Sequence, residues 1–196
     1  MSASIHEFTT DIPDWRPRVK PIDLAEATAE QLDALKVTPS NTKVSDYVLV
    51  LANDVETLKV RTPLFNAIMY NRGGLSRAER ELGAVAASVV NRCIYCTAVH
   101  ASRYNQLAKD ETLIRRVFAE GVSVELDARQ TAILRFAARL SDAPSKATAE
   151  DVDALVKAGL DKSEILDLIL SASLFGWANR LMHTLGDPMP RNEGQS

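Results

Sequence analysis

The stretch ELGAVAASVVNRCIYCTAVH, Glu81 to His100, decides how the chain is read. Its first half places apolar residues at Leu82, Val85, Ala86 and Val89, the rhythm of one buried helix face. Its second half holds both cysteines of the protein, Cys93 and Cys96, with His100 four residues after the second. Positions four apart on a helix share a face, so the imidazole lies beside the sulfur of Cys96 and is placed to take its proton. Two thiols spaced C-x-x-C are close enough to be oxidised to a disulfide, and a thiol near a helix start gains thiolate character. Glu81 stands twelve residues before Cys93, on the shoulder of the apolar face in line with Val85 and Ser88. Partial burial is expected there, and Glu81 orients His100 if the two helices pack antiparallel.

The helical rhythm extends outward from this stretch. Ser76 with Glu79 three residues on is a capping box that opens the helix carrying Glu81. Upstream, Val44, Val48, Leu51, Val55 and Leu58 follow one buried face that Asn53-Asp54 divides into two helices. Leu64, Phe65, Ile68 and Met69 make the next, ending at Gly73-Gly74. Downstream, Leu113, Ile114, Val117 and Phe118 form a short helix stopped by Gly121. Asp127 caps another, with Ile133, Phe136, Ala137 and Leu140 inward and Pro144 beyond its end. Thr148 starts the next, which ends near Gly159, and Asp161 with Glu164 opens the last and most apolar, running to about Thr184. No alternating strand pattern competes after residue 41. The expected fold is therefore all-α, a helical bundle of roughly seven to nine helices.

The first forty residues read differently. Pro13, Pro17, Pro21 and Pro39 are half of all the prolines, which predicts an extended arm and then a short helix from about Leu24 to Leu35, opened by Asp23. Trp15 on such an arm needs burial, against the body or against a neighbouring subunit.

Composition narrows the class. A chain of 196 residues, 46% hydrophobic and 25% charged, supports one well-buried core, so a single domain over 1–196 is expected, with the arm in 1–40 and the core in 41–190. The net charge is −3 and no basic run exceeds a pair of residues, which argues against a nucleic-acid partner. The opening MSASIHEFTTDIPDW has no positive and then apolar leader pattern. The longest apolar run, Ile165 to Ala178, is interrupted by Asp167 and falls short of a bilayer span. A soluble cytoplasmic protein without a membrane partner is the expectation. In a reducing cytosol, cysteines at this spacing are more often catalytic or metal-binding than a structural staple.

The pattern E-x11-C-x-x-C-x-x-x-H, formed by Glu81, Cys93, Cys96 and His100, resembles the signature of the alkylhydroperoxidase D-like branch of the carboxymuconolactone decarboxylase-like superfamily. Leu75-Ser76 ahead of the glutamate, Ser88 and Asn91 between, and Tyr95 inside the pair resemble the peroxidase-related proteins of that branch. The likeness covers most of residues 41–190 and is strongest over 75–107. It implies a thiol-dependent peroxidase. Cys96, activated through His100 and Glu81, would attack the peroxide O–O bond and become a sulfenic acid. Cys93 would then close a disulfide, which an external dithiol, dihydrolipoamide-bearing or thioredoxin-like, reduces. No haem, flavin or metal is required, and a homo-oligomer, trimer or hexamer, is implied, with FGWANRLMHTLGDP resembling the superfamily's last helix. The position of Tyr95 is a histidine in the founding alkylhydroperoxidases. A phenol cannot replace that histidine as a base at neutral pH, although it can donate a hydrogen bond.

Plainer readings exist for each residue. Free cysteines are commonly two small buried hydrophobes. Zinc would take Cys93, Cys96 and His100 but needs a fourth ligand, Glu81 or nothing, and His6 and His183 have no motif spacing to join them. Glu81 in the run Arg77–Glu81 reads equally as one half of a solvated ion pair with Arg77. Ser88, Asn91 and Tyr95 are candidates for lining the site that packing or capping explains as well. Two further functions remain: a carboxymuconolactone decarboxylase-like enzyme, which normally lacks the C-x-x-C pair, and a non-catalytic redox sensor or interaction module.

Overall fold

Nine residues in a row, Arg80 to Ser88, are buried in one helix, and the rest of the chain is arranged around it. That helix, α4 (Arg77–Val90), carries Gly83, Ala84, Ala86 and Ala87, so neighbouring helices approach it from every side. In the computed structural model, which describes residues 4–35 and 44–191, the elements run in the order β1 (Asp14–Pro17), α1 (Ala29–Ala34), α2 (Asp46–Leu51), α3 (Val55–Tyr70), α4, α5 (Ile94–Ala108), α6 (Thr112–Glu120), α7 (Ala128–Ser141), α8 (Ala149–Lys157), α9 (Lys162–Leu185) and β2 (Gly186–Met189). The described residues thus form nine helices and one two-stranded ribbon, an all-α architecture.

Helix α4 packs on α5, α7 and α9. The closest approach is at Gly83, where a Cβ would stand 2.8 Å from Leu168 Cδ1 and 3.2 Å from Ser171 Oγ of α9. The main apolar cluster joins Leu82, Val85 and Ala86 of α4 to Ile114, Ile133, Leu134, Leu155 and Leu168. Helix α9 is 24 residues long and, at a mean hydropathy of 1.2, long and apolar enough to cross a membrane by composition alone. Its Leu168, Ala172, Phe175 and Ala178 are instead packed in the core. Asp167, which interrupts its apolar run, accepts the Leu75 N–H at 2.9 Å and pairs with the buried Arg80 at 2.6 Å, so it ties α9 to the start of α4.

Four expectations are corrected. The helix expected over Leu24–Leu35 is only α1, because Thr28 and Gln31 form its capping box, while the Asp23 carboxylate accepts the Ala25 N–H in a turn. The division expected at Asn53-Asp54 is found, between α2 and α3, but Leu64 to Met69 make no separate helix: α3 runs unbroken from Val55 to Tyr70 with Asp54 as its N-cap. Leu64 is exposed on α3, whereas Phe65, Ile68 and Met69 are buried. A short strand also forms beyond residue 41: Gly186–Met189 pairs antiparallel with Asp14–Pro17, opposing Trp15 to Pro188 and Pro17 to Gly186. Ion pairs from Asp187 to Arg18 at 2.5 Å and Arg16 at 3.5 Å hold the ribbon. Trp15 is thereby buried against the body, edge-on to Tyr47 with ring centres 5.9 Å apart. Pro39 lies outside the described residues.

Candidate active site

Helices α4 and α5 carry the four residues of the motif, and their packing brings Glu81 and His100 together. The His100 Nδ1–H donates to Glu81 Oε2 at 2.5 Å, and Arg77 pairs with the other oxygen, Oε1. A carboxylate only accepts, so this bond fixes the proton on Nδ1 and leaves Nε2 as the basic nitrogen. Glu81 is 1% exposed, so its pair with Arg77 is buried and not the solvated surface bridge of the plainer reading. Burial is also more complete than the partial burial expected from its place on the helix shoulder. The ring of Phe175 packs edge-on to His100 at 4.0 Å between centres, and Arg77 lies over the ring of Tyr70 at 4.1 Å.

Cys93 is the N-cap of α5 and Cys96 lies in its first turn. Both are free thiols, buried together with Trp15, Tyr47, Val50 and Met182. Each thiol acts on the other through a side-chain hydrogen bond between them. The bond from Cys96 draws the Cys93 thiol below its ordinary value against the effect of burial. The same bond, reinforced by burial, pushes the Cys96 thiol well up. Within the pair the lowered thiol is therefore Cys93 and the raised one Cys96.

Two cavities meet the pair. The larger, about 580 Å³, is lined by Cys96, His100 and Glu81 with Tyr47, Arg61, Phe65 and Phe175. The smaller, about 140 Å³, is lined by Cys93 with His6, Trp15, Arg92 and His183. Tyr95 lines both, and burial pushes its phenol up to about 12, so it stays protonated. Ser88 and Asn91 line neither. Ser88 donates to Asn179 at 3.2 Å between α4 and α9, and Asn91 caps α4, its side chain donating to the Ala87 carbonyl at 2.9 Å. His183 bonds the Asn91 carbonyl at 2.9 Å. Among the described residues no group of three or more His, Cys, Asp or Glu side chains is disposed to hold a metal ion.

Sequence reasoning missed Tyr47, Arg61, Phe65 and Phe175 as cavity residues. Each sits at an ordinary place in a helical pattern, and only the closure of α2, α3 and α9 over α5 turns them toward the sulfurs.

An all-α body thus holds a buried glutamate–histidine pair on the cavity wall that Cys96, in the first turn of the C-x-x-C helix, shares. The comparisons with known proteins support a likeness to the alkylhydroperoxidase D-like and carboxymuconolactone decarboxylase-like superfamily. Residues 56–139 match the model of the carboxymuconolactone decarboxylase family. The fold is similar to an uncharacterized peroxidase-related protein from Silicibacter sp. TM1040, at 27% identity and a TM-score of 0.73 over 92% of this chain and 97% of that one. It is equally similar to the alkylhydroperoxidase AhpD core of a peroxidase-related protein from Ralstonia eutropha JMP134, at 27% identity and a TM-score of 0.75 over 92% and 94%. The debrominase Bmp8 shares the fold at 16% identity, with a TM-score of 0.72 over 85% of this chain and 89% of that one. No curated protein matches the sequence.

Proposed function

We propose that the protein is a thiol-dependent peroxidase that reduces hydrogen peroxide or alkyl hydroperoxides with Cys96 and Cys93. The observation that carries this reading is the buried Glu81–His100 pair, which leaves a basic nitrogen on the wall that Cys96 shares. Cys96 gives its proton to His100 Nε2, and the thiolate attacks the terminal oxygen of R–O–O–H. An S–O bond forms as the O–O bond breaks, and RO⁻ recovers the proton from His100 and leaves as ROH. Cys96 is then a sulfenic acid. Cys93, already favoured as a thiolate, attacks that sulfur, so an S–S bond forms and hydroxide leaves as water after protonation. An external dithiol, dihydrolipoamide-bearing or thioredoxin-like, returns two electrons by thiol–disulfide exchange and becomes a disulfide itself. The smaller cavity beside Cys93 offers that dithiol a route separate from the peroxide's. The setting proposed for this cycle is the cytoplasm.

A reversed assignment has one observation in its favour: the lowered thiol is Cys93, at the positive end of α5. The two are separated by trapping. Peroxide should leave a dimedone-reactive sulfenic acid at Cys96 in Cys93→Ser, with no further turnover, and Cys96→Ser should be nearly inert. An adduct at Cys93 in Cys96→Ser, formed as fast as the other, would reverse the roles. Absence of a Cys93–Cys96 disulfide in the peroxide-treated wild type would remove the two-cysteine mechanism. A disulfide formed once but never cycled by any dithiol would leave a redox sensor.

A further inference from the structure

The larger cavity contains a cation that the peroxidase chemistry does not use. Arg61 of α3 lines it, and among the described residues no carboxylate pairs with its guanidinium. Its Nε is buried without a well-formed hydrogen bond, and the buried hydroxyl of Tyr47 on α2, also without one, lies near enough to the guanidinium for the two to act on each other. The guanidinium lies over the face of Phe65 at 4.5 Å and within 5.8 Å of the Tyr47 ring centre. Those faces stabilise a cation but offer its buried Nε no acceptor. Burial accordingly holds the Arg61 guanidinium below the ordinary arginine range, with Tyr47 opposing only part of that effect.

The other charges of the cavity are differently placed. Arg77 is taken by Glu81, and Arg103 bonds Gln106 at 2.9 Å. Both Glu81 oxygens are occupied by Arg77 and His100. Asp14 and Asp46 also line the wall, and both act to raise the Tyr95 phenol. The way from Arg61 to the reacting centre is a continuous aromatic wall. Phe65 meets Phe175 edge-on at 5.6 Å, and Phe175 meets His100 at 4.0 Å. Tyr47 joins the opposite side, in the same apolar cluster as Cys93 and Cys96.

We propose that Arg61 and Tyr47 form an anion subsite, and that the hydroperoxide reduced at Cys96 is an organic acid whose carboxylate docks there while its apolar body lies along Phe65 and Phe175. A carboxylate accepts two parallel N–H bonds from the guanidinium edge and one from the Tyr47 hydroxyl, which pairs the donors now orphaned. One arginine with one neutral hydroxyl matches a single negative charge. The volume of about 580 Å³ is that of a small-molecule site rather than of a hydrogen peroxide channel. The reacting group in this proposal rests on the peroxidase reading; the anion subsite does not.

The test compares a fatty-acid hydroperoxide with its methyl ester, both turned over by one preparation with a dithiol, and measures decanoate binding separately by calorimetry. The wild type should favour the acid in kcat/KM by about ten- to a hundredfold, the worth of a charged hydrogen-bonded contact. Arg61→Met should bring the acid-to-ester ratio close to one, and Arg61→Lys should retain part of it. Because both substrates meet the same sample, partial unfolding cancels from the ratio. Tyr47→Phe should lower the ratio severalfold and weaken decanoate. A wild-type ratio near one, or a ratio unchanged in Arg61→Met, overturns the subsite. Decanoate bound by the wild type and lost in Arg61→Met, with no peroxide turned over, keeps the subsite and discards the peroxidase.

Discussion

Glu81 has two oxygens and two partners, and this arrangement sets what His100 can do. Arg77 holds one oxygen and the imidazole Nδ1–H the other, inside a wall from which water is nearly excluded. In the proposed cycle the carboxylate would stabilise the imidazolium formed when Cys96 loses its proton, and histidine and glutamate would act as one unit. In the Cys93→Ser background, His100→Ala or Glu81→Gln should each slow sulfenic acid formation at Cys96 by about a hundredfold or more. The double variant should cost little beyond the worse single one. Additive losses in stopped-flow kinetics would show that Glu81 serves only the fold. A pH profile gives an independent check: the Cys96 thiol is raised, so the rate should climb with pH as the proton is lost, and without His100 the climb should move to higher pH. The contact between Glu81 and His100 was readable in the sequence because helical spacing and one helix pair set it. Arg61 and Tyr47 were not, since a lone arginine on a helix looks like any solvated charge until its neighbours deprive it of acceptors.

At the scale of elements, caps and cross-links do most to fix the helices. The boxes Ser76–Glu79 and Asp161–Glu164 are local, so they read directly from the chain. The ribbon did not, because Gly186–Met189 has no alternation of its own and becomes a strand only against Asp14–Pro17. The role of Asp167 was equally hidden, as its partner Arg80 comes from α4. Asp167→Ala leaves that arginine 1% exposed without its counter-charge, and should cost about 3–5 kcal/mol in denaturant melts. A loss below about 1 kcal/mol would show that the carbonyls of Asn71 and Gly73 suffice for Arg80. Arg129 bridges Glu79 and Glu164 at 2.5 Å each, joining α7 to the starts of α4 and α9. Burial works to raise Glu79, but the bonds from Arg129 and Ser76 outweigh it and the carboxyl ends below its ordinary value of 4.5. A depressed folded value contributes stability that is present above pH 4.5 and lost as pH falls through the folded value. Wild-type Tm should drop across that window, and Arg129→Met should lower Tm at neutral pH while flattening the acid slope. An unchanged slope would leave Glu79 out of the acid transition.

For the whole molecule, the question is what covers the surface that the fold leaves apolar. Leu166, Leu170 and Trp177 lie along one side of α9 and are 55%, 39% and 40% exposed. Their spacing of four and then seven residues keeps them on a single stripe. Helix α3, which packs beside α9, adds Val60 and Leu64 at 68% and 56% exposed. A core helix that buries Leu168, Ala172 and Phe175 inward yet turns such a stripe outward has more apolar face than its own chain covers. We propose that copies of this chain cover it and that the protein is a homo-oligomer, a trimer or hexamer. Light scattering on the purified protein at micromolar concentration should return a multiple of the 21.5 kDa chain mass. Leu166→Glu combined with Leu170→Glu should return the monomer with its helical circular dichroism intact, since both side chains are already outside the core. A wild type that scatters as a monomer would defeat the proposal, and so would a double variant that keeps the full assembly, because the contact would then have to be made elsewhere than on α9.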